Sequence, residues 1–488
     1  MPSQNNNNDQ NSYQTHRSQF IRDATSRTSN TSLKDEDFLN CIFESIKNRQ
    51  LDDNRQFIMK RAGAGQQIAS VAASEVRGMY YWDDKDKLYY AVGTSIYIYN
   101  FNTSSLTSIT PFGAGTGEVG FTEYLYDTNT VVIIATDGTT LVRITDTDTF
   151  TTCADADLPA PHLPFPVFLD GYLFLAKKNT ADVYNSDLND PFSWTPGNLI
   201  AAEMRADLVQ RICVLNNYLV VFGTRSIEYF WDAANATGTP MQRNDTPIKL
   251  NLYLGGFAQY GNDIYFLGEN LSGQPEVFRL SDFKLEGLAN YTVSRYLNTV
   301  TESVASWEGA ILTCQGHAIY LVSAGTLTYA CDVENKFWTR WSWKDTDSFS
   351  IVHSSRATTA TQRRSIFALK GSDSTIYYLS DTLYQDVGVN FKYRIVTEAS
   401  DYGTLNRKMM ARFSLIGDRT DVDSNFSLYW SDDDYQTYHG PRTINISQDL
   451  PSTYRLGWFR QRIFKIEYTD NYPFRLQHFE VDINKGLS

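Results

Sequence analysis

Gly115-Thr116-Gly117-Glu118-Val119-Gly120 has the G-x-G-x-x-G spacing that cradles a pyrophosphate when a strand leads in and a helix N-terminus leads out. Here Pro111-Phe112 precedes the run and the β-rich Phe121 to Tyr126 follows it, so it reads as a loop between strands. Asp421, Asp423 and Asn425 stand at calcium-loop spacing, with Asp432 at the twelfth position. Phe426 occupies the position that needs glycine, and glutamate is missing at the twelfth, which favours a plain surface turn. The six histidines are scattered, and His317 between Gly316 and Ala318 reads as a turn residue. No H-E-x-x-H, G-x-S-x-G or P-loop occurs. The five cysteines, Cys41, Cys153, Cys213, Cys314 and Cys331, form no CxxC pair, so they read as reduced, buried thiols. A glycosidase needs two carboxylates facing each other across a sugar, and 56 acidic residues offer too many chance pairs to nominate one. The expectation is no catalytic residue, no cofactor and no metal.

Binding chemistry is the next candidate. Lys336-Phe337-Trp338-Thr339-Arg340-Trp341-Ser342-Trp343-Lys344 interleaves bases and aromatics, as a nucleic-acid stacking platform does. A strand packed between sheets gives the same pattern and is preferred, with a subunit interface next. Ser431 to Tyr438 resembles one Asp-box turn of sialidase-like propellers, in which Asp and Ser bond back to the hairpin backbone. The net charge of −13 excludes DNA binding through the overall field. It is compatible with an acidic wall that repels phosphate and lets a duplex slide. No apolar run approaches the roughly 18 residues of a membrane span, and the Asn- and Gln-rich start lacks a signal-peptide core. Synthesis in cytosol without membrane insertion is expected.

The elements that must position these residues read as strands. Aromatics make up 14% of the chain, with 31 Tyr and 28 Phe, which leans the composition toward all-β. The centre is Asn217 to Trp231, two strand-length apolar runs around a Gly-Thr-Arg-Ser break, hence a β-hairpin. Its first run is apolar on both faces; its second alternates, Ile227, Tyr229 and Trp231 one way, Ser226, Glu228 and Phe230 the other. Similar strand pairs recur from Leu88 to Leu379 at roughly 40–55 residues, the period of a β-propeller blade. About seven units are present, and six or seven blades both fit. Longer strands from Asn390 to Ile483 read as an antiparallel β-sandwich. The predicted organisation is a flexible polar arm at 1–37, a lead-in at 38–78, a propeller at 79–386 and a sandwich platform at 387–488. In the lead-in, Phe38, Leu39, Ile42, Phe43 and Ile46 fall at helical spacing behind Asp35, but an extended segment is preferred.

The central hairpin also carries a resemblance. A strand followed by Phe222-Gly223-Thr224-Arg225-Ser226-Ile227-Glu228-Tyr229-Phe230 resembles the centre of the tail hub or nozzle proteins of short-tailed bacteriophages, also called packaged-DNA stabilisation proteins. A second match is Arg455-Leu456-Gly457-Trp458-Phe459-Arg460-Gln461-Arg462-Ile463-Phe464-Lys465-Ile466. A third is Asn40-Cys41 with Lys60-Arg61-Ala62-Gly63, where the family tends to show Lys-Arg-Pro-Gly. The motif residues Gly223, Ser226, Ile227, Glu228, Tyr229, Phe230, Arg455, Gly457, Arg460, Arg462 and Phe464 are expected to be structural. The arginines of the second match can bridge carboxylates inside the sandwich or on a neighbouring subunit, or lie on a solvated face.

The resemblance implies six blades and a virion protein made in the bacterial host cytoplasm. It implies a homo-hexamer below the portal and head-to-tail adaptor, meeting a tail fibre or spike and a tail needle or plug. Double-stranded DNA would pass through its lumen; the ring would retain packaged DNA and form the ejection conduit, without enzymatic activity. The alternative is a carbohydrate-binding or carbohydrate-degrading propeller, a host-glycan depolymerase or lectin. A cellular propeller scaffold would explain the repeats but not the motifs.

Overall fold

The computed structural model describes residues 13–20, 37–48, 53–126, 129–235, 238–344, 346–359, 363–371 and 373–486. The chain divides into two compact units, one of residues 66–326 and 349–379, the other of 1–65, 327–348 and 380–488.

In the first unit the strands are held by burial on both faces. In Lys87–Val92, Tyr89 and Ala91 join one core with Ile133 and Ala135, while Leu88, Tyr90 and Val92 join another with Ile366 and Ala368. The same alternation splits Val132 and Ile134 from Ile133 and Ala135, Leu173 and Leu175 from Phe174 and Ala176, and Leu219 and Val221 from Val220 and Phe222. With a side-chain period of two, each middle strand needs a sheet on either side. That requirement builds a ring. Its inner strands are Val76–Trp82, Gly120–Tyr126, Val167–Leu169, Val209–Leu215, Asn251–Tyr260, Glu308–Cys314 and Ile351–Thr358. Each lies beside the next, and the last lies beside the first. This unit is therefore a β-propeller with seven inner strands among the described residues, and the preference for six blades is corrected to seven. The outermost strands Ser105–Ile109 and Phe150–Thr152 are short and largely exposed, as ring edges should be. The α-helix Tyr291–Leu297 is capped by the Asn290 side chain, which accepts from Val293 N at 2.9 Å.

The second unit is a sandwich of two sheets. One runs Cys41–Asn48, Asp53–Lys60, Arg475–Lys485, Lys408–Gly417, Ser452–Phe459, with Gln14–Gln19 also pairing Arg475–Lys485. The other runs Phe337–Trp341, Asp37–Leu39, Tyr393–Val396, Ile463–Tyr468, Asn425–Ser431, His439–Asn445. Phe413, Phe464, Phe479, Phe426, Tyr468 and Phe474 fill the space between them. Leu39 meets Arg340 in parallel, and outside these two sheets Asp386 pairs in parallel with Ala64. Within the expected lead-in, residues 41–48 and 53–60 form a hairpin rather than a helix, so the extended reading holds there. Part of the expected flexible arm, Gln14–Gln19, is a paired strand; residues 1–12 and 21–36 lie outside the described residues. The contiguous boundaries at 79–386 and 387–488 differ from this division, because the sandwich also takes strands from residues 14–60 and 327–341. Strand spacing along a chain does not reveal which distant strand completes a sheet.

Inner strands approach closely enough that only glycine fits at certain points. A Cβ on Gly78 would sit 1.9 Å from Val119 O. Gly78→Ala is therefore expected to lower stability by about 1–3 kcal/mol, whereas Gly113→Ala, where an added Cβ meets nothing, should leave it unchanged. Thermal melts of the two variants check this; equal melting temperatures would refute the close approach.

Candidate functional site

The central hairpin forms as read, with Leu219 opposite Phe230 and Phe222 opposite Ile227. Its polar residues are turned inward to hold a neighbouring segment. A Cβ on Gly223 would come 2.4 Å from Asp207 Oδ2, so glycine admits that carboxylate. The same oxygen accepts from Arg225 N and from Ser226 Oγ, each at 2.9 Å. Glu228 is 1% exposed. Its Oε1 accepts from Met204 N at 2.9 Å, and its Oε2 lies 2.9 Å from Arg243 Nε. Burial pushes its pKa up, against the Met204 N–H and the Arg243 charge. Ile227 and Tyr229 enter the core with Val220 and Phe222, and Phe230 enters the one with Leu219 and Val221. The motif is a brace for residues 204–207.

The third motif encloses a buried ion pair. Arg61 and Asp386 have side chains with no exposure, joined by Nη2 to Oδ2 at 2.6 Å and Nη1 to Oδ1 at 3.0 Å. Arg61 also donates to Asn40 Oδ1 at 3.0 Å, Ala62 O at 2.9 Å and Ser342 O at 2.7 Å, which uses all five donors of a guanidinium. Its guanidinium carbon lies 3.8 Å from the centre of the Phe391 ring. Asn40, at φ 55°, is where the chain turns from Asp37–Leu39 into Cys41–Asn48, crossing from one sheet to the other. Its amide donates to Ser342 Oγ at 2.8 Å and Lys392 O at 2.7 Å. A Cβ on Gly63 would stand 2.2 Å from Gln385 O. Lys60, also buried, donates to Tyr384 O and Asp470 O, each at 2.9 Å, and lies over Phe391. Burial, with Arg61 nearby, pushes its pKa down to about 7.

In the C-terminal motif, Arg462 is 1% exposed and clasps Asp432 through Nε at 2.7 Å and Nη2 at 2.8 Å, over the Phe459 ring. Phe464 sits in the sandwich core. Arg455 and Gly457, at φ 61° and 83°, form a bulge opposite Met410 and Arg412. Arg460 is exposed and donates to Leu405 O at 2.8 Å. Lys465 lies 4.4 Å from both the Tyr429 and Tyr438 rings.

The remaining motifs resolve by their partners. Asp432 serves Arg462, and Asp423 accepts from Asn445 Nδ2 and Ser447 Oγ at 2.8 and 2.9 Å, so these carboxylates do not converge on a calcium site. Among the described residues no cluster of three His, Cys, Asp or Glu is placed to hold a metal. Asp433 closes its own turn, accepting from Ser431 Oγ at 2.7 Å and Thr437 N at 2.9 Å; hydrogen bonds from Thr437 hold its pKa at about 2. In the basic-aromatic run, Phe337, Trp338 and Trp341 are buried. Arg340 there pairs with Asp37 at 2.7 and 2.6 Å, so the run is a packed strand.

The inner strands enclose an axial cavity of about 1270 Å³, lined in part by Arg77, Glu118, Phe165, Arg211, Phe257 and His353. Arg77 donates to Gly117 O and Thr116 O at 2.6 Å and to Ala114 O at 3.0 Å. The G-x-G-x-x-G loop thus turns carbonyl oxygens onto a cation, the opposite polarity to a phosphate cradle. Sequence reasoning missed Arg77, Arg211, Asp207 and Asp386, each a lone charge whose partners are distant in the chain.

The family model for phage stabilisation proteins, "Bacteriophage P22 Gp10, beta-propeller", matches residues 49–384. That span includes the central hairpin and the Lys60–Gly63 run and ends before Arg455. No curated protein matches the sequence. Among solved structures, a streptogramin B lyase is 11% identical, with 66% of this chain and 98% of that one covered at a TM-score of 0.42. A virginiamycin B lyase from Staphylococcus aureus with quinupristin is 10% identical, with 70% and 99% covered at 0.42. Both likenesses are too distant to carry an argument.

Asp386→Ala leaves Arg61 as a buried charge without its partner and is expected to cost about 3–5 kcal/mol in urea unfolding. A loss under 1 kcal/mol would mean that Arg61 reaches water or another acceptor. Lys60 gives a pH signature. Its pKa of about 7 in the fold lies below the roughly 10.4 of an unfolded lysine, so the unfolded chain binds more protons between those values. The stability difference between wild type and Lys60→Met should therefore move in the wild type's favour from pH 7 to pH 10. A flat difference would show that Lys60 keeps its proton.

Proposed function

Because the chain belongs to the phage stabilisation family of bacteriophage P22 Gp10 β-propellers, a family of phage structural proteins, we propose that it is the tail hub or nozzle of a short-tailed phage. Six copies form a ring below the portal and the head-to-tail adaptor. The ring carries the tail fibre or spike, receives the needle or plug, retains packaged DNA and lets the duplex leave. The protein works in the virion and catalyses no reaction. What supports this most is the family match across the propeller, together with motif residues whose polar atoms serve internal bracing.

The conduit in this reading is the axis of the assembled ring, not the axis of one propeller. The propeller cavity is lined by Arg77, Arg211 and Arg356 together with Glu75, Glu118 and Glu308, so it lacks the uniformly acidic wall that would let a duplex slide. A net charge of −13 on each copy suits a shared lumen that repels phosphate. The carbohydrate alternative would use aromatics and paired carboxylates in a sugar cleft; the Asp-box-like turn that Asp433 closes is structural and does not bear on it.

Removing the protein tests the proposal. Heads assembled without it should package DNA and then leak it, measured as genome retained after purification. Heads that keep their genome and lose only adsorption to the host would replace the hub with a receptor-binding role.

A further inference from the structure

The axial cavity of the propeller holds a cation that the fold leaves without an acceptor. Arg211 stands near the start of the inner strand Val209–Leu215. Its guanidinium carbon lies 3.9 Å from the centre of the Phe165 ring and 4.0 Å from that of Phe257. Phe165 precedes one neighbouring inner strand and Phe257 belongs to the other, so the clamp is a product of ring closure. Two aromatic partners cover the faces of a guanidinium and leave its edge, where five N–H donors lie in one plane. Among the described residues, no protein oxygen accepts a hydrogen bond from that edge.

The neighbouring cation shows the contrast. Arg77 lines the same cavity, and loop carbonyls take up its donors. Glu118 also lines the cavity but forms no ion pair with Arg211. Burial raises the Glu118 pKa, with the Arg211 charge working against that. Burial lowers the Arg211 pKa, with Glu118 working against it. Arg211 is half-buried and its donors open onto the cavity, where a soluble anion can meet them.

We infer that this cavity is a binding site for a small oxyanion, a carboxylate or a phosphate, that engages the open edge of Arg211 between Phe165 and Phe257. Two parallel N–H donors match two oxygens of either group, which a lysine at this position would not do. The cavity, about 1270 Å³, exceeds the roughly 300–1,000 Å³ of common small-ligand pockets, so the rest of such a ligand has room. Glu118 sets the opposing term: its charge weakens anion binding, and removing it should strengthen binding. The inference stands apart from the hub proposal, since it concerns a site inside each copy.

The full chain is melted in rising inorganic phosphate, or in rising acetate, with sodium chloride at matched ionic strength as reference. A ligand that binds the folded state raises Tm with the logarithm of its concentration. A rise above chloride with phosphate alone identifies phosphate chemistry, with acetate alone carboxylate chemistry, and with both a general oxyanion site. Arg211→Met, which keeps an apolar stem between the rings, should weaken the response about tenfold or more. Glu118→Gln should shift the response to lower concentration. No rise above chloride in the wild type overturns the inference, as does a rise that Arg211→Met keeps in full. If Arg211→Met does not fold, Glu118→Gln decides alone: an unchanged response overturns it.

Discussion

The propeller depends on one constraint: its middle strands are apolar on both faces, and a single sheet covers neither. Leu88 to Val92 sends alternate side chains into two different cores, and each core is completed by the next or the previous sheet. Repeating that requirement leaves no sheet able to stand alone, and closing the ring removes the two ends. The glycines at inner strands follow from it. Gly78 and Gly120 are places where adjacent sheets meet backbone to backbone, with room for no Cβ.

The sandwich depends on a different interaction. Arg61 and Asp386 are fully buried, and their network joins Asn40, Ser342 and Lys392, residues from three separated stretches of chain. Replacing such a pair by apolar side chains often costs little, but removing one partner costs much. Its value here is positional. The fork of Arg61 defines where each stretch must lie, and Asn40 sits in the left-handed conformation that carries the chain between sheets. Glu228, Ser226 and Asp207 do the same for the central hairpin, and Arg462 with Asp432 for the C-terminal motif. In each of the three motifs at least one charged side chain, Glu228, Arg61 or Arg462, is consumed inside the fold. Arg211 departs from that pattern, since its donors face the propeller cavity.

The all-β class, the central hairpin with its alternation of side chains between two faces, and the blade-length period were legible in the sequence. All three are local, carried by alternation and turn residues within some 15–50 residues of chain. The motif stretches were legible too, but not the partners of their charged residues. Lys60-Arg61-Ala62-Gly63 encloses a fully buried ion pair that its own stretch does not announce, because Asp386 lies 325 residues away. Blade number, the discontinuous sandwich and the pairing of Gln14–Gln19 with Arg475–Lys485 were decided only by the tertiary structure. A strand's own residues set its period and its apolar faces. They do not say which distant strand will satisfy its hydrogen bonds, nor how many sheets will close a ring, since both depend on packing between segments that meet only in the folded chain.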